Sequence, residues 1–134
     1  MVGARGMLVC TAAMVMLAGT TVGVRADSAE VTKCMEAIDT GAFKNTQMKV
    51  CYEQELVRQD KVLNIEYLRL QAAAVSADAG KALILGQRAW LAFRTSWCDF
   101  ESKQMSAPSP EFNHLACMVN LTTAHSKLLH DDAG

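Results

Sequence analysis

Between residues 47 and 105 the chain contains no proline and one short break, Ser76-Ala77-Asp78. On the segment before the break, Leu56, Asp60, Leu63, Tyr67, Leu70 and Ala74 recur at alternating spacings of four and three. After it, Leu83, Gln87, Trp90, Arg94 and Trp97 do the same. This is the seam spacing of packed helices. Two long helices joined by a tight turn must fold back on each other as an antiparallel hairpin. The β-branched alternation that would mark strands is absent, so the fold class is all-α.

Shorter helices flank the hairpin. The first is expected from about Ala29 to Asp39, with Asp27 or Ser28 as N-cap and Gly41 just past its end. The second runs from about Gln47 to Val75, capped by Asn45 or Thr46, and the third from about Ala79 to Met105, capped by Asp78. Ser106-Ala107-Pro108-Ser109-Pro110 then breaks the chain. Ser109 caps a fourth helix that runs to about Leu129. Pro110 stands at its first position, where a missing N–H costs nothing.

The seam is not purely apolar, and its polar members can be paired by register. With the turn centred near residue 77, facing residues have numbers summing to about 154. Asp60 then faces Arg94, Asn64 faces Trp90, Tyr67 faces Gln87, and Leu56 faces Trp97 or Cys98. Asp60 and Arg94 are expected to form a charge-assisted pair, and the Trp90 indole N–H to donate to the Asn64 amide.

Residues 1–26 carry Arg5, a short apolar run from Met7 to Ala18, and small residues ending in Val24-Arg25-Ala26. That is the pattern of a secretory signal peptide cleaved after Ala26, and the run is too short to span a bilayer at about 20 residues per crossing. Cys10 does not fit lipoprotein processing, because Val9 precedes it and the apolar segment follows it. Residues 27–134 are then one domain, with no stable membrane insertion. They keep 11 basic and 14 acidic residues, a formal charge of −3, without the basic balance of a nucleic-acid binder.

Four cysteines remain, Cys34, Cys51, Cys98 and Cys117. An even count in a short exported chain reads as a disulfide framework. All four fall near the open end of the hairpin. Three connectivities are possible; Cys34–Cys51 with Cys98–Cys117 closes the shortest loops and is preferred. No C-x-x-C pair exists, and His114, His125 and His130 lack metal-ligand spacing, so no metal or cofactor is expected. There is no G-x-S-x-G, no glycine-rich phosphate loop, and no second carboxylate on the Asp60 seam. The chain does not read as an enzyme.

The pieces Asp60-Lys61-Val62-Leu63-Asn64-Ile65-Glu66-Tyr67-Leu68-Arg69-Leu70 and Gln87-Arg88-Ala89-Trp90-Leu91-Ala92-Phe93-Arg94, followed by Cys98, Cys117, Thr122 and Leu128, resemble the LprI-type lysozyme-inhibitor family of exported bacterial proteins. The resemblance covers about residues 31 to 130. It implies a helical periplasmic or envelope protein and, for some members, inhibition of lysozyme. The family pattern has an arginine in the last helix where this chain has His125. The signature residues Asp60, Asn64, Tyr67, Gln87, Trp90 and Arg94 coincide with the seam and are expected to be structural. A partner hydrolase would then meet another surface. The Ser106–Pro110 loop is the candidate, with Pro108 and Pro110 stiffening it and Asp99, Glu101 and Glu111 offering negative charge to a basic partner. The alternative is an envelope module without a hydrolase partner.

Overall fold

A computed structural model describes residues 28–38, 41 and 43–132. The proposed signal segment lies outside these residues. Four helices follow one another: α1 (Ala29–Glu36), α2 (Lys44–Ala72), α3 (Ala77–Gln104) and α4 (Pro110–Asp132). No strand occurs among the described residues.

The helix starts follow the capping chemistry, with shifts. Ser28 caps α1, its Oγ accepting from Val31 N at 3.2 Å. Ser76, not Asp78, caps α3, accepting from Ala79 N at 3.1 Å. Asp78 stands in the first turn instead, where its charge favours the positive helix end. Ser109 Oγ accepts from Phe112 N at 3.1 Å at the head of α4, with Pro110 first in the helix. The largest shift is at α2. It begins at Lys44, so Asn45 and Thr46 lie inside its first turn, and Phe43 ends it without a side-chain hydrogen bond.

Both disulfides have the local connectivity, Cys34–Cys51 and Cys98–Cys117, with Cα atoms 5.7 and 5.5 Å apart. The first fixes α1 to the start of α2, and the second fixes the end of α3 to α4. Around them lies the apolar core. Val31, Tyr52 and Val119 pack with Met35, Leu56, Phe112 and Leu115; Cys98, Cys117 and Met118 pack with Leu56 and Leu121. Tyr52 and Phe112 meet edge to face at 4.8 Å.

α2 and α3 run as the expected hairpin, but they do not close on each other along its length. The most extensive packing is α2 on α4, then α3 on α4, then α1 on α2; α2 and α3 scarcely touch directly. α4 therefore fills one side of the space between them. The register nevertheless holds along the axis. Arg94 Nη1 donates to Asp60 Oδ1 at 2.6 Å across the hairpin, and Leu56 packs against Cys98. What changes is the partner at each level. Trp90 does not bond Asn64 but stacks on His125 of α4, rings 4.0 Å apart and 11° from parallel. Gln87 pairs with His125 rather than Tyr67, and Trp97 is exposed. A seam this polar leaves α2 and α3 little apolar surface to join, and α4 offers each of them a more complementary face.

Candidate functional site

On the side of the hairpin away from α4, the separation of α2 and α3 leaves an open cleft of about 520 Å³. α2 contributes Asp60, Leu63, Asn64 and Tyr67, one face at spacings of three and four. α3 contributes Ile84, Gln87, Arg88, Leu91 and Arg94. Five of the six residues expected to form a sealed seam thus line a cleft; the sixth, Trp90, does not. Arg88, which sequence reasoning left aside, joins them because it lies one turn from Ile84 and Leu91. It is exposed and, among the described residues, has no hydrogen bond or ion pair.

Arg94 is the centre of this region. It is 8% exposed, and its Nη1 makes two short bonds, to Asp60 Oδ1 and to Thr122 Oγ1, both at 2.6 Å. Thr122 is completely buried and its own hydroxyl donates a hydrogen bond to the Met118 carbonyl at 2.7 Å. The guanidinium carbon lies 5.2 Å from the centre of the Trp90 ring, a cation–π distance. Arg94 Nε is buried with no acceptor. Thr122, absent from the expected site, is the residue that ties the Asp60–Arg94 pair to α4. Its signal in sequence is only its place in the T-x-x-H-x-x-L piece.

His125, standing where the family pattern has arginine, is clamped between ring and amide. With Gln87 Oε1 as acceptor, its Nε2–H donates at 2.8 Å. Burial first, and then the Arg94 charge, hold its pKa below the ordinary histidine value. The ring is neutral at pH 7 and adds no second cation beside Arg94.

A second recess, about 470 Å³, lies at the disulfide end. Of the residues expected to meet a partner, it brings together Asp99, Pro110 and Glu111. Glu53, Lys49, Lys103 and His114 join them. Glu101 and Pro108 do not line it. Asp99 Oδ1 and His114 Nδ1 are 3.1 Å apart. Glu111 has its carboxyl held below the usual range by its own backbone N–H at the head of α4, then by Ser109. The adjoining loop is exposed at Ala107 and Pro108 but is held at both sides. Asn113 Nδ2 donates to the Met105 carbonyl at 3.0 Å, and Asn45 Nδ2 reaches the Pro108 carbonyl at 3.5 Å.

Neither place assembles a nucleophile beside a base. Cys34, Cys51, Cys98 and Cys117 are all oxidised, and no group of three or more potential metal ligands occurs among the described residues. No described helix is long and apolar enough to cross a membrane.

Compared with known protein families, residues 31–129 match the one described as lysozyme inhibitor LprI. No curated protein and no solved structure matches the chain.

Proposed function

Because the chain belongs to the lysozyme inhibitor LprI family, which residues 31–129 match, we propose that it is an exported, non-catalytic binding protein that occludes a lysozyme-type cell-wall hydrolase. The family match is the observation that carries this reading. Export rests on the charge and apolar pattern of residues 1–26, with cleavage near Ala26 releasing the domain to the periplasm or beyond.

The disulfide end suits the task. An inhibitor loses least on binding when its surface is already ordered. Here Pro108 and Pro110 sit on a loop held by the Cys98–Cys117 bridge and by Asn113. Asp99, Glu101 and Glu111 give that end carboxylates, which steer and orient a cationic partner. Asp99 and Glu111 share one recess with Pro110, so a basic side chain of the hydrolase would meet both together.

Adding the purified protein to lysozyme acting on isolated cell walls tests the proposal. Saturable slowing is expected, weaker at high salt and weaker still for the double variant Asp99→Asn, Glu111→Gln. Unchanged lysis at a clear molar excess of the protein overturns the inhibitor reading. Full inhibition by the double variant leaves inhibition standing and moves it to another surface.

A further inference from the structure

The α2–α3 cleft is not used by the inhibitor reading, and its chemistry differs from that of the rest of the molecule. Its lining carries two guanidinium groups, Arg88 and Arg94, against one carboxylate, Asp60. The cleft is therefore net positive in a domain whose formal charge is negative. The carboxylate is already engaged by Arg94 Nη1, which leaves the Arg88 guanidinium at the rim with no partner among the described residues.

Arg94 adds a second, independent sign. Its hydrogen bonds both leave from Nη1, while Nε is buried and lacks an acceptor. The Nε–Nη2 edge is the fork that a carboxylate fits with two parallel bonds. A buried donor without an acceptor is costly, and a small rotation of the Arg94 side chain toward the cleft would let an acceptor bound there remove that cost. Ile84 and Leu91 flank Arg88 along α3 and offer carbon to the cleft, with the buried Leu63 beneath them on α2. A volume of about 520 Å³ falls within the range of small-molecule sites.

The geometry points to the α2–α3 cleft as a binding site for an amphipathic carboxylate, whose acid group pairs with Arg88 and with the unpaired edge of Arg94 and whose apolar part lies on Ile84 and Leu91. The acid is carried either by a free small molecule or by a peptide's C-terminus. The site stands whether or not the protein inhibits a hydrolase.

Titration of the isotope-labelled protein, followed by NMR, tests this. The probes are N-acetyl-leucine, a hexapeptide ending in leucine, and the amidated form of each. One or both free acids should shift the Arg94 Nε–H resonance and the cleft amides, and the amides should not. The tighter acid identifies the source. Arg88→Gln should weaken binding by about tenfold or more, the loss of one charge-assisted bond, without altering the melting temperature, since Arg88 has no partner to lose. Lys81→Gln, outside the cleft, should change nothing. Equal binding of acid and amide, undiminished binding by Arg88→Gln, or no response to either acid up to its solubility limit overturns the proposal.

Discussion

Around the two disulfides, Val31, Tyr52, Met118 and Val119 are sealed among Leu56, Phe112 and Leu115. Two turns further along the bundle the buried side chains are Arg94, Gln87, Thr122 and Ser126, with Leu63 and Leu129 the apolar exceptions. Beyond these, the turn end leaves Val75 96% exposed. There Arg69 closes α4 onto α2, reaching Glu66 at 3.0 Å and the His130 carbonyl at 2.9 Å. The difference separates two tasks. Apolar burial and covalent bonds hold most of the first region, where the buried Glu55 is met by Arg58 and Gln59, and they tolerate imperfect geometry. Hydrogen bonds and one ion pair hold the second, and they work only when every partner is in place.

The comparison can be broken most forcefully at the stapled end. Replacing Cys98 and Cys117 together by alanine should cost about 2–5 kcal/mol, as for a native bridge in a small exported domain. Chemical denaturation of the oxidised protein and the variant measures it; a loss well under 1 kcal/mol would mean that the core there stands without the bridge.

In the polar region Arg94→Ala should be the most damaging single change. A fully sealed pair would cost about 3–5 kcal/mol on losing one partner. The Asp60 side chain is 41% exposed and can turn to water, so about 2–4 kcal/mol is expected, with Thr122 left short of its donor. Replacing both Asp60 and Arg94 by leucine should cost less than Arg94→Ala alone. The order of the two melting temperatures decides it, and the reverse order would show that the pair itself stabilises the fold.

At the turn, Ser76→Ala should cost about 1 kcal/mol, the worth of an N-cap, with faster amide exchange confined to the first turn of α3. The smallest effect is one of pH. His125 has a folded pKa below the free value of about 6.5. As pH falls, the unfolded chain takes up its proton first, so stability is full above about 6.5 and declines from there toward the lower folded value. The difference in melting temperature between the protein and His125→Gln should narrow across that interval. A gap that stays constant with pH removes His125 as the source.

The disulfide pairing was a preference for short loops that the structure bears out, but the hairpin, the helix count and the Asp60–Arg94 contact were legible in the residues. Each follows from spacing along one helix or from distance to the turn. Trp90, Tyr67 and Gln87 were not legible in the same way. The residue spacing says which face of α3 they occupy, but not which of two helices that face meets. A two-helix register has no place for a third element, and His125 and Thr122 lie on it. The cleft was hidden for the same reason: it is the gap left when α4 takes one side of the hairpin. The recess with Asp99, Pro110 and Glu111 was partly foreseen because all three flank one loop, whereas Glu53 and Lys49 reach it from α2.

The central place of α4 also orders events in time. The element that holds α2 and α3 together is made after both of them, because synthesis runs from the N-terminus. Until residues 110–132 leave the ribosome, the two longest helices share little beyond the Asp60–Arg94 bond and the contact of Leu56 with Cys98. Cys98 then lacks Cys117, its partner in the folded molecule. A chain arrested before α4 would be two amphipathic rods with their inner faces bare, prey for proteases and chaperones. Residues 110–132 thus decide whether the helices made before them become a folded molecule.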